Sequence, residues 1–141
     1  MGKCNGGILP KSETNFYKLI KEKLSEYSPI RIETSTINGF PDLILFNKNK
    51  EPIFVEAKVG RRCDLLQSLS PHQKAFHHKY SKIMNKLFIL QRSEEERAFF
   101  LYRSIDCNFL LQKANLEPCA TVGFRSPWCP IKKMLDDDYY I

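Results

Sequence analysis

The sequence predicts an α/β sandwich, a sheet covered by helices, on two observations. Apolar residues recur at helical spacing around 12–27 and 71–84, and five short runs rich in β-branched or aromatic residues lie between and after them. The 141 residues suit one domain with a real hydrophobic core and are too few for two.

The elements follow in order. Ser12 to Tyr27 reads as a helix: Phe16, Tyr17, Ile20, Leu24 and Tyr27 share one face, Ser12 serves as N-cap, and Ser28-Pro29 stops it. Ile30 to Ile37 reads as a strand, broken by Asn38-Gly39-Phe40-Pro41. Asp42 to Phe46 and Ile53 to Lys58 are two more strands around the turn residues Asn47-Lys48-Asn49-Lys50, with the apolar runs of central strands buried on both faces. Gly60 to Leu69 is a loop or irregular helical start. Ser70-Pro71-His72-Gln73 then opens a helix with Ser70 as N-cap and Pro71 at its first position, and Phe76, Tyr80, Ile83 and Met84 form its apolar face. Lys86 to Gln91 and Arg97 to Arg103 read as strands, and Ser104 to Ala114 as a helix. Beyond Asn115 the pattern is poor, so residues 1–103 are expected to form the core and 104–141 an extension packed on the same domain.

Composition narrows the function classes. Apolar residues make up 43% and charged residues 27%, a globular balance. Runs such as Leu43-Ile44-Leu45-Phe46 are far too short to span a bilayer. The start, Met1-Gly2-Lys3-Cys4-Asn5-Gly6, has Gly where a myristoylation signal wants Ser or Thr, and no signal-peptide pattern is present, so a cytoplasmic protein is expected. Five cysteines with no C-x-x-C pair argue against a disulfide framework or a zinc ribbon and for free thiols. The net charge is +6 and unevenly spread: residues 58–86 hold seven basic side chains and one acid, together with all three histidines. Such a patch suits a phosphate backbone, though many proteins carry a basic solvated face.

The stretch that carries chemistry runs from Gly39-Phe40-Pro41-Asp42 to Glu56-Ala57-Lys58. A hairpin turning near Asn49 pairs Asp42 with about residue 56. Cross-strand partners share a face, and Glu56 and Lys58 share one because side chains alternate, so all three polar groups converge at one end of an apolar hairpin. Two carboxylates beside a lysine are costly there without a purpose. A hard divalent cation relieves the repulsion, and Mg²⁺ binds through one or two carboxylates plus waters and substrate phosphate. Such an ion acidifies water and stabilises charge on a phosphate, and the lysine can orient that water or neutralise developing charge. The alternative is a surface ion pair beside an ordinary Pro-Asp turn.

Neighbouring residues bear on the choice. Glu13 projects from the middle of the first helix's apolar face, where it is either an acid aimed into the site or a first-turn residue favoured by the helix dipole. Gln73 lies on the face of Phe76 and Tyr80, and Ser70-x-x-Gln73 equally fits a capping box. Arg61, Arg62 and Lys74 follow the active-site strand and are candidate phosphate contacts, with His77 near the same face; solvated side chains and a packed histidine are the alternatives.

Gly39-x-Pro41-Asp42-Leu43, then Phe54-Val55-Glu56-Ala57-Lys58, then Leu69-Ser70-Pro71-x-Gln73 resemble the virus-type replication-repair nucleases (VRR-NUC) of the PD-(D/E)XK superfamily, over about residues 13 to 92. The resemblance implies a restriction-endonuclease-like three-layer sandwich with a mixed central sheet flanked by helices. It implies Mg²⁺ or Mn²⁺ dependence and phosphodiester hydrolysis leaving 5′-phosphate ends. Asp42 and Glu56 match the family's metal-binding acids, Lys58 its catalytic lysine, Glu13 its N-terminal helix acid and Gln73 its glutamine. The metal set it implies is Asp42, Glu56, Glu13 and Ala57. Stand-alone members are phage-borne or bacterial, tend to be homodimers, and include candidates for cutting branched DNA. Residues 104–141 match nothing in that pattern.

Three function classes follow: a DNA endonuclease, a DNA-binding module without turnover, and an interaction protein whose tail docks through Trp128 and Asp136-Asp137-Asp138. The acid-acid-lysine set favours the first.

Overall fold

The computed structural model describes residues 11–33, 37–110 and 116–137. Its sheet holds six strands in sequential order: β1 (Ile30–Arg31), β2 (Leu43–Phe46), β3 (Pro52–Val59), β4 (Leu87–Ser93), β5 (Ala98–Arg103) and β6 (Ala120–Gly123). Neighbours pair antiparallel except β3 and β4, which run parallel. A parallel pair needs a crossover. Here residues 60–86 supply it, carrying a 3₁₀ turn (Arg62–Asp64), α2 (Leu65–Ser68) and α3 (Pro71–Tyr80).

Alternation along the strands divides the core in two. Val55, Phe88, Leu90, Phe99, Leu101 and Val122 point to one face, where α1 (Lys11–Lys23) and α4 (Cys129–Asp136) cover them with Phe16, Ile20, Trp128, Ile131 and Leu135. Ile89, Phe100 and Tyr102 point to the other, under Leu65, Leu66 and Leu69 and the loop residues Phe109 and Leu116. The sheet is thus a mixed middle layer with helices on both sides. Each fully buried large side chain contributes roughly 1.5–3 kcal/mol relative to exposure, which is what fixes the register of strands as short as β2 and β6.

The hairpin is held at its turn by Asn47, whose Oδ1 accepts the backbone N–H of Asn49 at 3.0 Å and of Glu51 at 2.9 Å. Its Nδ2 donates to the Leu135 carbonyl at 3.3 Å, so the turn is also tied to α4.

Several expectations are corrected. The first helix ends at Lys23 and is followed by a 3₁₀ turn at Ser25–Tyr27, which Ser28 closes in a left-handed conformation with φ 50°. The strand expected over 30–37 is β1 at Ile30–Arg31, both residues exposed at the sheet edge, and the Ile32 N–H still donates to the Asp42 carbonyl at 2.8 Å; 34–36 lie outside the described residues. β2 is not buried on both faces: Phe46 is exposed, and β4 and β5 are the strands enclosed on both sides. The helix expected over 104–114 is a 3₁₀ turn at Ser104–Asp106, and 111–115 lie outside the described residues. The unreadable tail supplies β6 and α4. Trp128 is buried against Phe99, ring centroids 4.9 Å apart, and Asp136 accepts the Tyr27 hydroxyl at 2.8 Å, whereas Asp138 lies outside the described residues. Cys63, Cys107, Cys119 and Cys129 are free thiols. Among the described residues no helix is long and apolar enough to cross a membrane.

Candidate active site

The β2–β3 register pairs Leu43 with Val55, so Asp42 stands opposite Glu56 at the end of the hairpin. Glu56 is buried and Asp42 half-buried. Asp42 Oδ1 accepts the Ala57 backbone N–H at 3.0 Å, and Oδ2 accepts the Tyr17 hydroxyl at 2.6 Å. Glu56 Oε2 accepts from Gln73 Nε2 at 3.0 Å, while Oε1 is buried without a hydrogen-bond partner. Lys58 shares the face of Glu56 and donates from Nζ to the Ser68 carbonyl at 3.2 Å, at the end of α2. The three polar groups therefore converge as the alternation predicts.

The electrostatics are those of a strained pair. Burial pushes Asp42 up to about 7, and the Glu56 charge adds to this; Tyr17, the Ala57 N–H and Lys58 oppose it. Burial also pushes Glu56 up to about 7, against the Lys58 charge and the contact with Asp42. Near neutrality, then, the two acids hold on to a proton when no cation neutralises them. Burial, and then the Asp42 carboxylate, keep the Tyr17 phenol protonated and hence a donor. An orphaned carboxylate oxygen beside a second acid is the arrangement a divalent cation satisfies, and two carboxylates are enough for Mg²⁺, which keeps most of its waters.

Gln73 closes the cap and also reaches Glu56. Its Oε1 accepts the Ser70 N–H at 2.9 Å and its N–H donates to Ser70 Oγ at 3.1 Å, closing the capping box of α3, while Nε2 holds Glu56. The Gly39 segment is pressed onto the same turn. Gly39 has φ +80°, and a Cβ there would lie 2.1 Å from the His72 carbonyl oxygen. Only glycine admits both the conformation and the approach.

The other candidates separate. Glu13 is half-buried, and among the described residues no group of three or more His, Cys, Asp and Glu is placed to hold a metal. From the same helical stripe it is Tyr17, one turn on, that reaches Asp42. His77, expected among the nucleic-acid contacts, is fully buried: its Nδ1 lies 2.9 Å from Ser104 Oγ, and burial pushes its imidazole down to about 4. Arg62 also turns inward. Its guanidinium donates to the Leu116 carbonyl at 2.8 Å and lies over the Phe100 ring, tying Leu116 to the sheet. Arg61 is exposed and paired with Asp64 at 2.7 Å, and Lys74 is half-buried beside Gln73.

Sequence reasoning missed Tyr17, Gln91 and Arg31. Gln91 ends the apolar run Leu87–Leu90 of β4; its parallel register puts it beside Lys58, where Nε2 holds the Arg61 carbonyl at 2.8 Å and Oε1 accepts the Tyr102 hydroxyl at 2.9 Å. A polar residue directly after that run was the available signal. Arg31 covers the Tyr17 ring, its guanidinium 4.5 Å from the centroid, and no local pattern marks it.

Compared with protein-family models, with curated proteins and with solved structures, the chain matches none.

Proposed function

We propose that the chain is a divalent-metal-dependent nuclease of the PD-(D/E)XK kind, with a restriction-endonuclease-like fold and a VRR-NUC type of site, hydrolysing phosphodiester bonds of DNA. The observation that carries the proposal is the pairing of Asp42 with a buried, incompletely satisfied Glu56 across a hairpin, with Lys58 on the same face. A structural ion pair needs only one acid; a second one buried against it raises the cost of the folded state, and a bound cation offsets that cost without protonating either acid. Mg²⁺ or Mn²⁺ held by Asp42 and Glu56, with the Ala57 backbone as a further candidate ligand, would supply charge neutralisation at the phosphate and lower the pKa of the attacking water. Tyr17 and the Ala57 N–H orient Asp42, and Gln73 orients Glu56. Lys58 neutralises charge developing on the phosphoryl oxygens and steers the nucleophile. Lys74 and Arg61 are the basic side chains left to meet the DNA backbone, and a homodimer on branched DNA, in a phage or bacterial setting, is the biological frame the sequence resemblance favours.

The test is a panel of labelled linear, flap, Y-shaped and four-way DNA with Mg²⁺, Mn²⁺ or EDTA. Metal-dependent cleavage is expected, lost in Glu56→Gln, and reduced about 10²- to 10⁴-fold in Lys58→Ala with metal binding retained. Cleavage by both variants at the wild-type rate would refute the assignment.

A further inference from the structure

The acid pair has four carboxylate oxygens, and three have a donor from the protein: the Ala57 N–H and the Tyr17 hydroxyl on Asp42, and Gln73 Nε2 on Glu56 Oε2. The fourth, Glu56 Oε1, has none, yet the fully buried His77 presents Nε2 to it at 3.9 Å, and that nitrogen also lacks a hydrogen-bond partner. Gln73 and His77 are one helical turn apart on α3, so each faces a different oxygen of the same carboxylate.

We infer that His77 is a positioning residue for Glu56, its ring fixed by Ser104 so that Nε2–H faces the buried oxygen and holds the carboxylate ready for a divalent cation. The inference rests on the nuclease proposal above. The tautomer follows from the contacts. In the ionised state of Glu56 that a cation requires, were Nδ1–H to donate to Ser104 Oγ, at 2.9 Å, the bare Nε2 lone pair would face the negative oxygen of Glu56. With the Ser104 hydroxyl donating to Nδ1, the proton sits on Nε2 and the contact becomes attractive. Phe76 and Phe109 flank the ring, with centroids 6.2 and 5.5 Å away, so it has a packed seat in that orientation. At 3.9 Å the imidazole is beyond hydrogen-bond range, and it steers the carboxylate electrostatically while leaving Oε1 a lone pair for the ion. Groups behind metal ligands act in this way, and their loss typically lowers metal affinity or activity 10- to 100-fold.

The experiment is calorimetric titration of the full chain with Mg²⁺ and with Mn²⁺, without DNA, for wild type, His77→Leu, His77→Gln and Ser104→Ala, each checked for folding by circular dichroism. His77→Leu is expected to lose about 10- to 100-fold in metal affinity, Ser104→Ala a smaller part in the same direction, and His77→Gln, which keeps a neutral N–H donor, to recover part of the loss. The metal concentration for half-maximal cleavage should move in parallel. Wild-type affinity in folded His77→Leu overturns the inference; should that variant not fold, wild-type affinity in Ser104→Ala does so. A wild-type chain that binds neither ion overturns the metal reading as well, whereas binding left unchanged by the variants overturns the role of His77 alone.

Discussion

Gln73 donates from Nε2 to Glu56 Oε2 at 3.0 Å while its Oε1 closes the cap of α3, so one side chain joins the start of a helix to a buried acid. Gln73→Glu separates the two functions. It keeps an acceptor for the Ser70 N–H but turns an oxygen toward Glu56, making three carboxylates in one place. Cleavage per folded molecule should fall at least tenfold at pH 8, with a lowered melting temperature that recovers toward pH 5. Gln73→Ala should also lose cap stability of about 1 kcal/mol. An unchanged rate in Gln73→Glu would mean that the amide serves the helix only.

The acid pair makes metal-free stability fall with rising pH. Asp42 and Glu56 are each pushed up to about 7, above their unfolded values, so the folded state binds more protons than the unfolded chain between those values and about 7. Their contribution is present in full below the unfolded pKa and is lost as pH rises through 7. Thermal melts in EDTA should therefore show a lower melting temperature at pH 8 than at pH 5.5. Mg²⁺ should restore it at pH 8, and Asp42→Asn should flatten the dependence while abolishing cleavage. A flat profile for the wild type would show that the pair is not strained.

Gly39→Ala should damage the site from a distance. The added Cβ would meet the His72 carbonyl at 2.1 Å, at a φ of +80° that alanine disfavours. Left-handed strain and overpacking together should cost about 2–4 kcal/mol, and relief requires α3 to shift, carrying Gln73 off Glu56. Denaturant unfolding measures the loss, and cleavage by the folded fraction should fall with it. Wild-type stability would show that the segment relaxes without moving the helix.

The two neighbouring arginines should behave differently. Arg61→Ala is expected to reduce the log–log salt slope of DNA binding, measured in Ca²⁺, by up to about one unit. Arg62→Ala should leave the slope alone and lower the melting temperature, because its guanidinium holds the Leu116 carbonyl and stacks over Phe100. A slope change in Arg62→Ala alone would reverse the two assignments.

How much of this could be read from the sequence depended on the range of the contact. The hairpin register was legible because alternation and turn residues are local properties, and they bring Asp42 opposite Glu56 with thirteen residues between them. The α1 face was legible too, but helical spacing reveals direction and not level. Glu13 and Tyr17 lie on one stripe about 6 Å apart along the axis, and only packing decides which of them is level with Asp42. β1 fell short because its β-branched residues lie at an exposed edge, where nothing on the outer side holds them in register. β6 and α4 are four and eight residues long, and both form by docking on a sheet already present rather than by their own periodicity. His77 showed nothing in sequence to tell a packed ring from a solvated one.

The placement of both acids on one hairpin also bears on how the chain folds. Closing the short loop between β2 and β3 is among the fastest events open to the chain, whereas the parallel pairing of β3 with β4 must wait for the whole crossover of residues 60–86. The carboxylates are thus driven together early, while the donors that accommodate Glu56 arrive late with α3. Until then the nascent hairpin carries two like charges with water as their only shield, and anything that neutralises them, a proton or a divalent cation, acts on the folding barrier as well as on the finished molecule.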